Sequence, residues 1–188
     1  MSARKKRERF ERLMLPHLSA AYNHARWLVG DAHDAEDIVQ TAYARAFEYF
    51  NSYQTGNSAA WILTIVRNQA YTWLSKKKQA SNLVSFDEVV HSQQDVAGSP
   101  FPASLASNPE LLARSSTETA ALIGALERLP VEFREVLLLR EVEGYSYKEI
   151  AEIVDVPQGT VMSRLSRARR HLLEYLTNRL KRENAGGL

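Results

Sequence analysis

The sequence predicts an all-α protein in which two small helical domains are joined by a flexible linker. Apolar residues recur at spacings of three and four on both sides of residues 79–116, a stretch without that periodicity. The 188 residues include only 8 glycines and 6 prolines, too few for a turn-dense sheet fold. A long irregular stretch is unusual inside one compact domain. We therefore assign domains to 1–80 and 117–182, a linker to 81–116 and a tail to 183–188.

Three helices are predicted in the first domain. The segment from Phe10 to Val29 carries one apolar face and reads as a single helix. Asp34 can cap a second helix, whose apolar positions continue to Phe50. Ser58 can cap a third helix, which is expected to end near Lys77.

Helices resume in the second domain at Thr117 and are interrupted at Pro130 and at Gly144. Residues 146–149, Ser-Tyr-Lys-Glu, form a capping box that starts a short helix. Asp-Val-Pro at 155–157 ends it, because the residue before a proline avoids the helical conformation. Another helix follows at once, so the pair is predicted to be a helix-turn-helix.

The second helix of this pair is amphipathic, with a basic outer face. Val161, Leu165, Ala168 and Leu172 fall within about 60° of one another on a helical wheel and form the buried stripe. The outer face carries Ser163, Ser166, Arg167 and Arg170, with Thr160 and Met162 at its edges, and Arg164 and Arg169 flank the stripe. Exposed arginines can pair with guanine or phosphate. The alternative is a solvated amphipathic pair, although a solubility face normally mixes signs and no acid occurs between residues 157 and 171.

Charge and composition restrict the function. Residues 1–80 hold 12 basic and 7 acidic residues and residues 157–188 hold 7 and 2, with an acidic middle between them. The absence of cysteine excludes disulfides and fits a reducing cytoplasm. No run of 18 apolar residues exists, so we expect no membrane insertion. There is no phosphate-binding glycine loop, paired-histidine motif or Gly-x-Ser-x-Gly element, so we expect no enzyme activity and no cofactor.

Two sets of motifs resemble the bacterial sigma-70 family. The second domain resembles region 4 in Leu126-Glu-Arg-Leu-Pro130, Arg134-Glu-Val-Leu-Leu-Leu-Arg140, 143–154 and 159–169. The first domain resembles region 2 in Asp34-Ala-Glu-Asp-Ile-Val-Gln40 and Trp61-Ile-Leu-Thr-Ile-Val-Arg-Asn68. Having only these two regions is typical of the extracytoplasmic-function (ECF) group of sigma factors.

The resemblance implies a factor that binds core RNA polymerase, recognises promoter DNA and is regulated by an anti-sigma factor. Region 4 would read the minus-35 element through the outer face of the basic helix. Region 2 would read the minus-10 element, partly as single strand, and the loop at 51–58 would capture a flipped base. The minus-10 residues implied are Asn57, Ser58, Arg67, Asn68, Tyr71, Trp73, Lys76 and Lys77.

Docking on the polymerase is implied at two places. Asp34, Asp37, Gln40 and Arg45 would contact the clamp helices of the beta-prime subunit. An apolar groove around 137–142 would meet the beta flap. The acids at the start of this helix, with His33 beside them, do not have calcium-loop spacing, so no metal site is predicted.

Several of these residues also have a purely structural interpretation. Trp61, Ile65 and Leu74 fit core positions, Asn68 could be a satisfied core amide, and Tyr71 and Trp73 could be either core or DNA-facing. A stand-alone helix-turn-helix regulator would explain the second domain equally well. It would not explain the basic, aromatic segment at 50–78 of the first.

Overall fold

The structure is a computed structural model that describes residues 3–53, 55–84 and 117–185. Every regular element in these ranges is helical, which confirms the all-α prediction. The chain divides into two compact units between Pro100 and Phe101, and each is described separately below. Residues 85–116, which hold most of the predicted linker, lie outside the described residues.

Four α-helices form the described part of the first unit. They are α1 (Ala3–Met14), α2 (Leu18–Val29), α3 (Ala32–Tyr49) and α4 (Ser58–Val84), with 3-10 turns at Leu15–His17 and Phe50–Ser52. Helices α2, α3 and α4 pack on one another around small and branched residues such as Ala25, Ala42, Ile62 and Val66, all 0% exposed. Burial of these side chains supplies the main stabilising free energy of the unit.

Two helix caps differ from the predictions. Asp31, not Asp34, caps α3, and its side chain accepts hydrogen bonds from the backbone N–H groups of His33 (2.9 Å) and Asp34 (3.0 Å). The hydrogen bond from the Asp34 N–H is the main reason that the pKa of Asp31 is lowered. Gly30, in the left-handed conformation, ends α2 just before this cap, so α3 starts earlier than predicted.

Helix α4 is also capped one residue earlier than predicted. The side chain of Asn57 accepts a hydrogen bond from the Ala60 N–H at 3.1 Å, and Ser58 is the first helical residue. The predicted end near Lys77 is wrong, because α4 continues to Val84. Residues 76–80 are good helix formers, and no Gly or Pro follows until Gly98.

The predicted single helix from Phe10 to Val29 is interrupted. Pro16 lies in the first turn of the 3-10 segment, and a proline cannot donate the backbone hydrogen bond of a helix interior. Helix α1 therefore ends at Met14 and α2 begins at Leu18. Helix α1 also begins at Ala3, well before the predicted start.

Four further helices form the described part of the second unit. They are α5 (Thr117–Glu127), α6 (Val131–Glu141), α7 (Tyr147–Val154) and α8 (Gln158–Ala185). Their core contains Leu129, Leu139, Ile150 and Ile153, which are 0 to 3% exposed. The predicted interruptions at Pro130 and Gly144 are confirmed, and Gly144 takes a positive φ of 76°.

Two charged residues that are adjacent in sequence are buried in this unit. Arg134 is 0% exposed and Glu135 is 2% exposed. Arg134 donates a hydrogen bond from Nη1 to the carbonyl oxygen of Glu127 at 3.3 Å. This bond ties α6 to the end of α5, which orients the helices that support the helix-turn-helix.

Within the described residues, no helix is both long enough and apolar enough to cross a membrane.

Candidate nucleic-acid interfaces

The helix-turn-helix is fixed by local backbone chemistry. Ser146 accepts a hydrogen bond from the Glu149 N–H (3.3 Å), and Glu149 accepts one from the Ser146 N–H (2.8 Å), so the predicted capping box is confirmed. Asp155 at the turn has a φ of 52°, the left-handed region that asparagine and aspartate tolerate better than most residues. The turn therefore ends α7 at Val154, and α8 begins at Gln158.

The buried stripe of α8 lies where the periodicity predicts it. Val161, Leu165 and Ala168 are buried, and Leu172 is half-buried. On the outer face, Met162, Ser163, Ser166, Arg167 and Arg170 are exposed, and Thr160 and Arg164 are half-buried. The structure thus brings all seven predicted residues of this face onto the first four turns of one helix.

Two arginines of α8 have acidic neighbours. Arg169 donates to the Glu141 carboxylate at 2.6 Å, and this hydrogen bond is the main cause of its raised pKa. Arg170 lies 3.9 Å from Glu174 in an exposed pair, which is weak in water. Arg169 therefore serves mainly to join α6 to α8, whereas Arg167 has no ion pair among the described residues.

Residues at the start of α8 were missed by sequence reasoning. Gln158 is exposed and, with Lys148 and Pro157, lines an open groove of about 370 Å³ along the turn. The first residues of a recognition helix are the ones that meet base edges in helix-turn-helix complexes. The sequence could have indicated Gln158 by its position directly after the turn.

The candidate surface of the first unit lies on α4. Arg67 lies over the Tyr71 ring at 4.4 Å, and Lys77 lies over the Trp73 ring at 4.2 Å. Both aromatic side chains are half-buried, so part of each packs within the unit and part is open to solvent. Asn68 is exposed, so its interpretation as a core amide is wrong.

Trp61, Ile65 and Leu74 are half-buried, which agrees only in part with their interpretation as core residues. Lys76 and Lys78 are exposed on the same helix. Lys76 lies with Trp73 in a shallow groove between α3 and α4 that also contains Asp37. Positive charge and aromatic faces therefore alternate along this stretch, as a surface for unstacked bases requires.

The loop between α3 and α4 approaches the start of α4. The Tyr53 hydroxyl donates to the Gly56 carbonyl oxygen at 2.7 Å, and Tyr53 packs against Phe50 and Trp61. The Ser58 hydroxyl lies 2.8 Å from His17 Nε2, so it is engaged within the protein. Gln54, at the middle of the predicted base-capturing loop, lies outside the described residues.

The residues predicted to dock on the polymerase lie on α3. Asp37, Gln40 and Arg45 are exposed, and Asp34 is half-buried with its carboxylate 3.9 Å from Lys77 Nζ. A groove of about 440 Å³ lies beside them between α2 and α3. It is lined by Leu18, Ser19, Tyr22, Asn23, Glu36, Val39 and Gln40.

The apolar groove predicted around 137–142 is only partly present. Leu137, Leu138 and Leu139 are at most 6% exposed and belong to the core of the second unit. Val142 alone of the apolar residues in this stretch is exposed, at 64%. The three leucines are packed because four consecutive apolar positions in a helix face more than one side, and here the packed side includes all three.

Within the described ranges, no group of three His, Cys, Asp or Glu side chains is arranged to hold a metal ion.

A helix-turn-helix and a basic, aromatic helical surface, in separate units of one chain, define a bipartite class of DNA-binding protein. Residues 13–80 match the model of the family described as Sigma-70 region 2, and residues 119–172 match that of Sigma-70, region 4. The ECF RNA polymerase sigma-E factor of Escherichia coli (strain K12) is 34% identical over 138 residues, covering 72% of this chain and 70% of that protein. The chain therefore belongs to the sigma-70 family, in its ECF group.

Other similar proteins agree with this assignment. The ECF RNA polymerase sigma factor SigE of Mycolicibacterium smegmatis is 32% identical over 167 residues, which are 89% of this chain but only 61% of that relative. The sigma factor RpoE of Bartonella quintana, solved in complex with the anti-sigma factor NepR, is 29% identical with a TM-score of 0.69 over 90% of this chain and 98% of that chain. CnrH, solved with the cytosolic domain of CnrY, has a TM-score of 0.62 at 21% identity and is similar in fold.

Proposed function

We propose that this chain binds core RNA polymerase and directs it to promoters with two elements. The observation that carries the proposal is the presence, in one chain, of an arginine-rich helix face and of a helix with cation-covered aromatic rings. The arginine face of α8 suits base edges and phosphates of duplex DNA. The cation-covered aromatic side chains of α4 suit unstacked bases. A promoter factor needs both surfaces, because it must find a duplex and then hold an opened strand.

The second unit would read the minus-35 element. Its contacts would come from Thr160, Met162, Ser163, Arg164, Ser166, Arg167 and Arg170. Gln158, at the first position of α8, is added as a base contact, and Lys148 is added as a phosphate contact. Met162 can meet a thymine methyl group but cannot donate to guanine, so it would shape the preference at that position.

The first unit would read the minus-10 element and hold the melted strand. Asn68 is exposed between Arg67 and Tyr71, where it can bond a base while the ring of Tyr71 offers a stacking face. Trp73, Lys76 and Lys77 would continue the contact toward the phosphates. The loop before α4 would capture a flipped base, with Asn57 and Ser58 at its end.

Polymerase would be met by the exposed side of α3 and by the second unit. Asp34, Asp37, Gln40 and Arg45 would contact the clamp helices of the beta-prime subunit. Val142 is the apolar side chain left to meet the beta flap. The regions concerned are 1–80 and 117–182, separated by a linker at 81–116.

An anti-sigma factor is proposed as a further partner, by similarity to the Bartonella RpoE solved with NepR. The chain would act in the cytoplasm, where the polymerase is, and the chemistry of RNA synthesis would remain the polymerase's. No cofactor of its own is needed for this role.

The test is run-off transcription by core bacterial polymerase with and without this protein on a promoter library, followed by sequencing of RNA starts. Starts that depend on the protein and share two spaced elements are the expected result. Tight duplex binding by the protein alone, without any protein-dependent start, would instead support a stand-alone regulator. Mass analysis of the purified protein excludes a co-purified inhibitor as the cause of a negative result.

A further inference from the structure

Helix α1 contacts the segment that leads into the base-capturing loop. The match to region 2 begins at residue 13, so nearly all of α1 lies before it. Phe10 packs edge-to-face against Phe47 and Phe50, with ring centroids 5.2 and 5.1 Å apart. Phe47 belongs to the last turn of α3, and Phe50 begins the 3-10 turn that follows. Helix α1 is thus packed beneath the entry to the loop.

Two cations of α1 make the same pair of contacts at successive points of this segment. Lys6 Nζ lies 4.7 Å from the Phe47 ring centroid and donates to the Glu48 carbonyl oxygen at 3.3 Å. This contact satisfies a carbonyl group at the end of α3.

Arg9 repeats the arrangement further along the chain. Its guanidinium lies 5.2 Å from the Phe50 ring centroid, and its Nη2 donates to the Tyr53 carbonyl oxygen at 3.4 Å. Lys6 therefore stabilises a helix end, whereas Arg9 reaches the backbone of the loop itself.

Tyr53 makes two further contacts among the described residues of this loop. Its ring stacks on Phe50 with centroids 5.9 Å apart, and its hydroxyl donates to the Gly56 carbonyl oxygen. Gly56 has a φ of 137°, which side chains rarely adopt, so this bend depends on glycine. The carbonyl group held by Arg9 and the ring that folds back to Gly56 belong to the same residue. Loss of the contact between Arg9 and the Tyr53 carbonyl group would therefore leave Tyr53, which also contacts Phe50 and Gly56, less constrained.

We propose that Arg9 is a positioning residue that fixes the base-capturing loop before DNA arrives and thereby sharpens base discrimination in the minus-10 element. This inference rests on the proposed function, in which the loop captures a flipped base. A loop that is already ordered does not lose conformational entropy when the base enters, so more of the contact free energy separates the right base from the wrong one.

The experiment compares Arg9→Ala with Arg9→Lys, Lys5→Ala and Lys6→Ala. Lys5 is exposed, and its side chain makes no hydrogen bond or ion pair within the described part of the chain, so Lys5→Ala removes the same charge without touching the loop. Lys6→Ala removes the corresponding contacts with Phe47 and Glu48 at the end of α3. Each variant is assayed with core polymerase on the best promoter from the library and on the three promoters that change the captured base. The discrimination ratio is the activity on the first divided by the mean on the others.

Arg9→Ala is expected to lower this ratio about fivefold, as for loss of one partly exposed charge-assisted hydrogen bond. Arg9→Lys should restore part of it, and Lys5→Ala and Lys6→Ala should leave it unchanged. A general loss of folding would lower activity on all four promoters together and leave the ratio intact. An abasic nucleotide at the captured position should make wild type and Arg9→Ala initiate equally.

An unchanged ratio for Arg9→Ala beside normal wild-type initiation overturns the inference alone. An equal fall for Lys5→Ala also overturns it, because the effect would then be one of net charge. If the wild type gives no protein-dependent start on any promoter, the proposed function fails and the inference fails with it.

Discussion

The recognition helix of the second unit presents arginines directly to solvent, whereas cations of the first unit lie over aromatic rings. Arg167 is exposed on α8 and has no ion pair among the described residues. Arg67 and Lys77 on α4 instead cover Tyr71 and Trp73. Duplex DNA offers base edges in a groove of fixed shape, so a helix of fixed orientation with free donors suffices. An opened strand offers ring faces, which need aromatic partners.

This difference affects how each surface is kept in place. The arginine face of α8 is positioned chiefly by features close in sequence, which are the capping box of α7, the left-handed Asp155 and the buried stripe, with one distant contact from Arg169 to Glu141. The surface of the first unit depends on contacts that are distant in sequence, such as Arg9 to Tyr53. Local changes should therefore affect the second surface most, and changes in tertiary contacts should affect the first.

The largest expected effect comes from the core beneath the recognition helix. Leu165 is 1% exposed, and Leu165→Ala should lower the free energy of unfolding of the second unit by about 2–5 kcal/mol, because it leaves a cavity. Far-UV circular dichroism should show an earlier unfolding phase. The three tryptophans of the chain, Trp27, Trp61 and Trp73, all lie in the first unit. The unfolding transition that tryptophan fluorescence reports should therefore match that of the wild type.

Leu63→Ala is the matched control, because Leu63 is 0% exposed in the core of the first unit. Leu63→Ala should move the unfolding transition reported by tryptophan fluorescence to milder conditions. It should not produce the early unfolding phase in circular dichroism. If Leu165→Ala shifted the fluorescence transition as strongly, the two units would not unfold separately and the comparison between them would be broken.

The next effect is on duplex reading. Arg167→Ala should weaken minus-35 recognition by about 1–3 kcal/mol and relax the preference at one base pair, if the guanidinium meets a base edge. The measurement is transcription from a library randomised in the minus-35 element. Arg170→Ala, beside Glu174, should weaken all sequences about equally because a phosphate contact carries no base preference. A preference that Arg167→Ala leaves unchanged at every position would exclude this role.

The same contrast explains which features the sequence could predict. The helix-turn-helix was predicted almost residue by residue, because the capping box, the turn and the buried stripe are determined by residues close together in sequence. The caps at Asp31 and Asn57 were each missed in favour of a later residue, because several capping residues occur in a row and only the backbone decides between them. Pro16 was overlooked, although a proline within an apolar pattern is a known signal for a break.

The surface of the first unit was predicted in composition but not in arrangement. Nothing in the spacing of Arg67 and Tyr71 required the cation to cover the ring, although an i, i+4 pair permits it. The contact of Arg9 with Tyr53 joins residues 44 positions apart and had no local signal. The three buried leucines at 137–139 show the converse error, in which an apolar run was taken for a surface.

A smaller effect compares the two caps that support these surfaces. Ser146→Ala should lower the free energy of unfolding of the second unit by about 1 kcal/mol, and Asn57→Ala should do the same for the first. Chemical denaturation followed by circular dichroism and by tryptophan fluorescence separates the two. Ser146→Asp, which keeps an acceptor at the cap, should retain most of the stability. Equal losses for Ser146→Ala and Ser146→Asp would show that the cap contributes little.

The smallest effect is a pH dependence confined to the first unit. His17 Nε2 lies 2.8 Å from the Ser58 hydroxyl, and burial lowers the pKa of His17 below its ordinary value of about 6.5. Since the pKa is lower in the folded state, the unfolded state binds more protons between the two values, and stability falls as the pH is lowered through about 6.5 toward the folded pKa. His17→Gln keeps a hydrogen-bonding group without this titration. Its tryptophan-monitored unfolding should vary less between pH 7.5 and 5.5 than that of the wild type; these two values are roughly one unit on either side of the ordinary histidine pKa. An identical pH dependence in both proteins would mean that His17 does not couple protonation to the start of α4, and the first surface would then lose one of the distant contacts on which it is argued to depend.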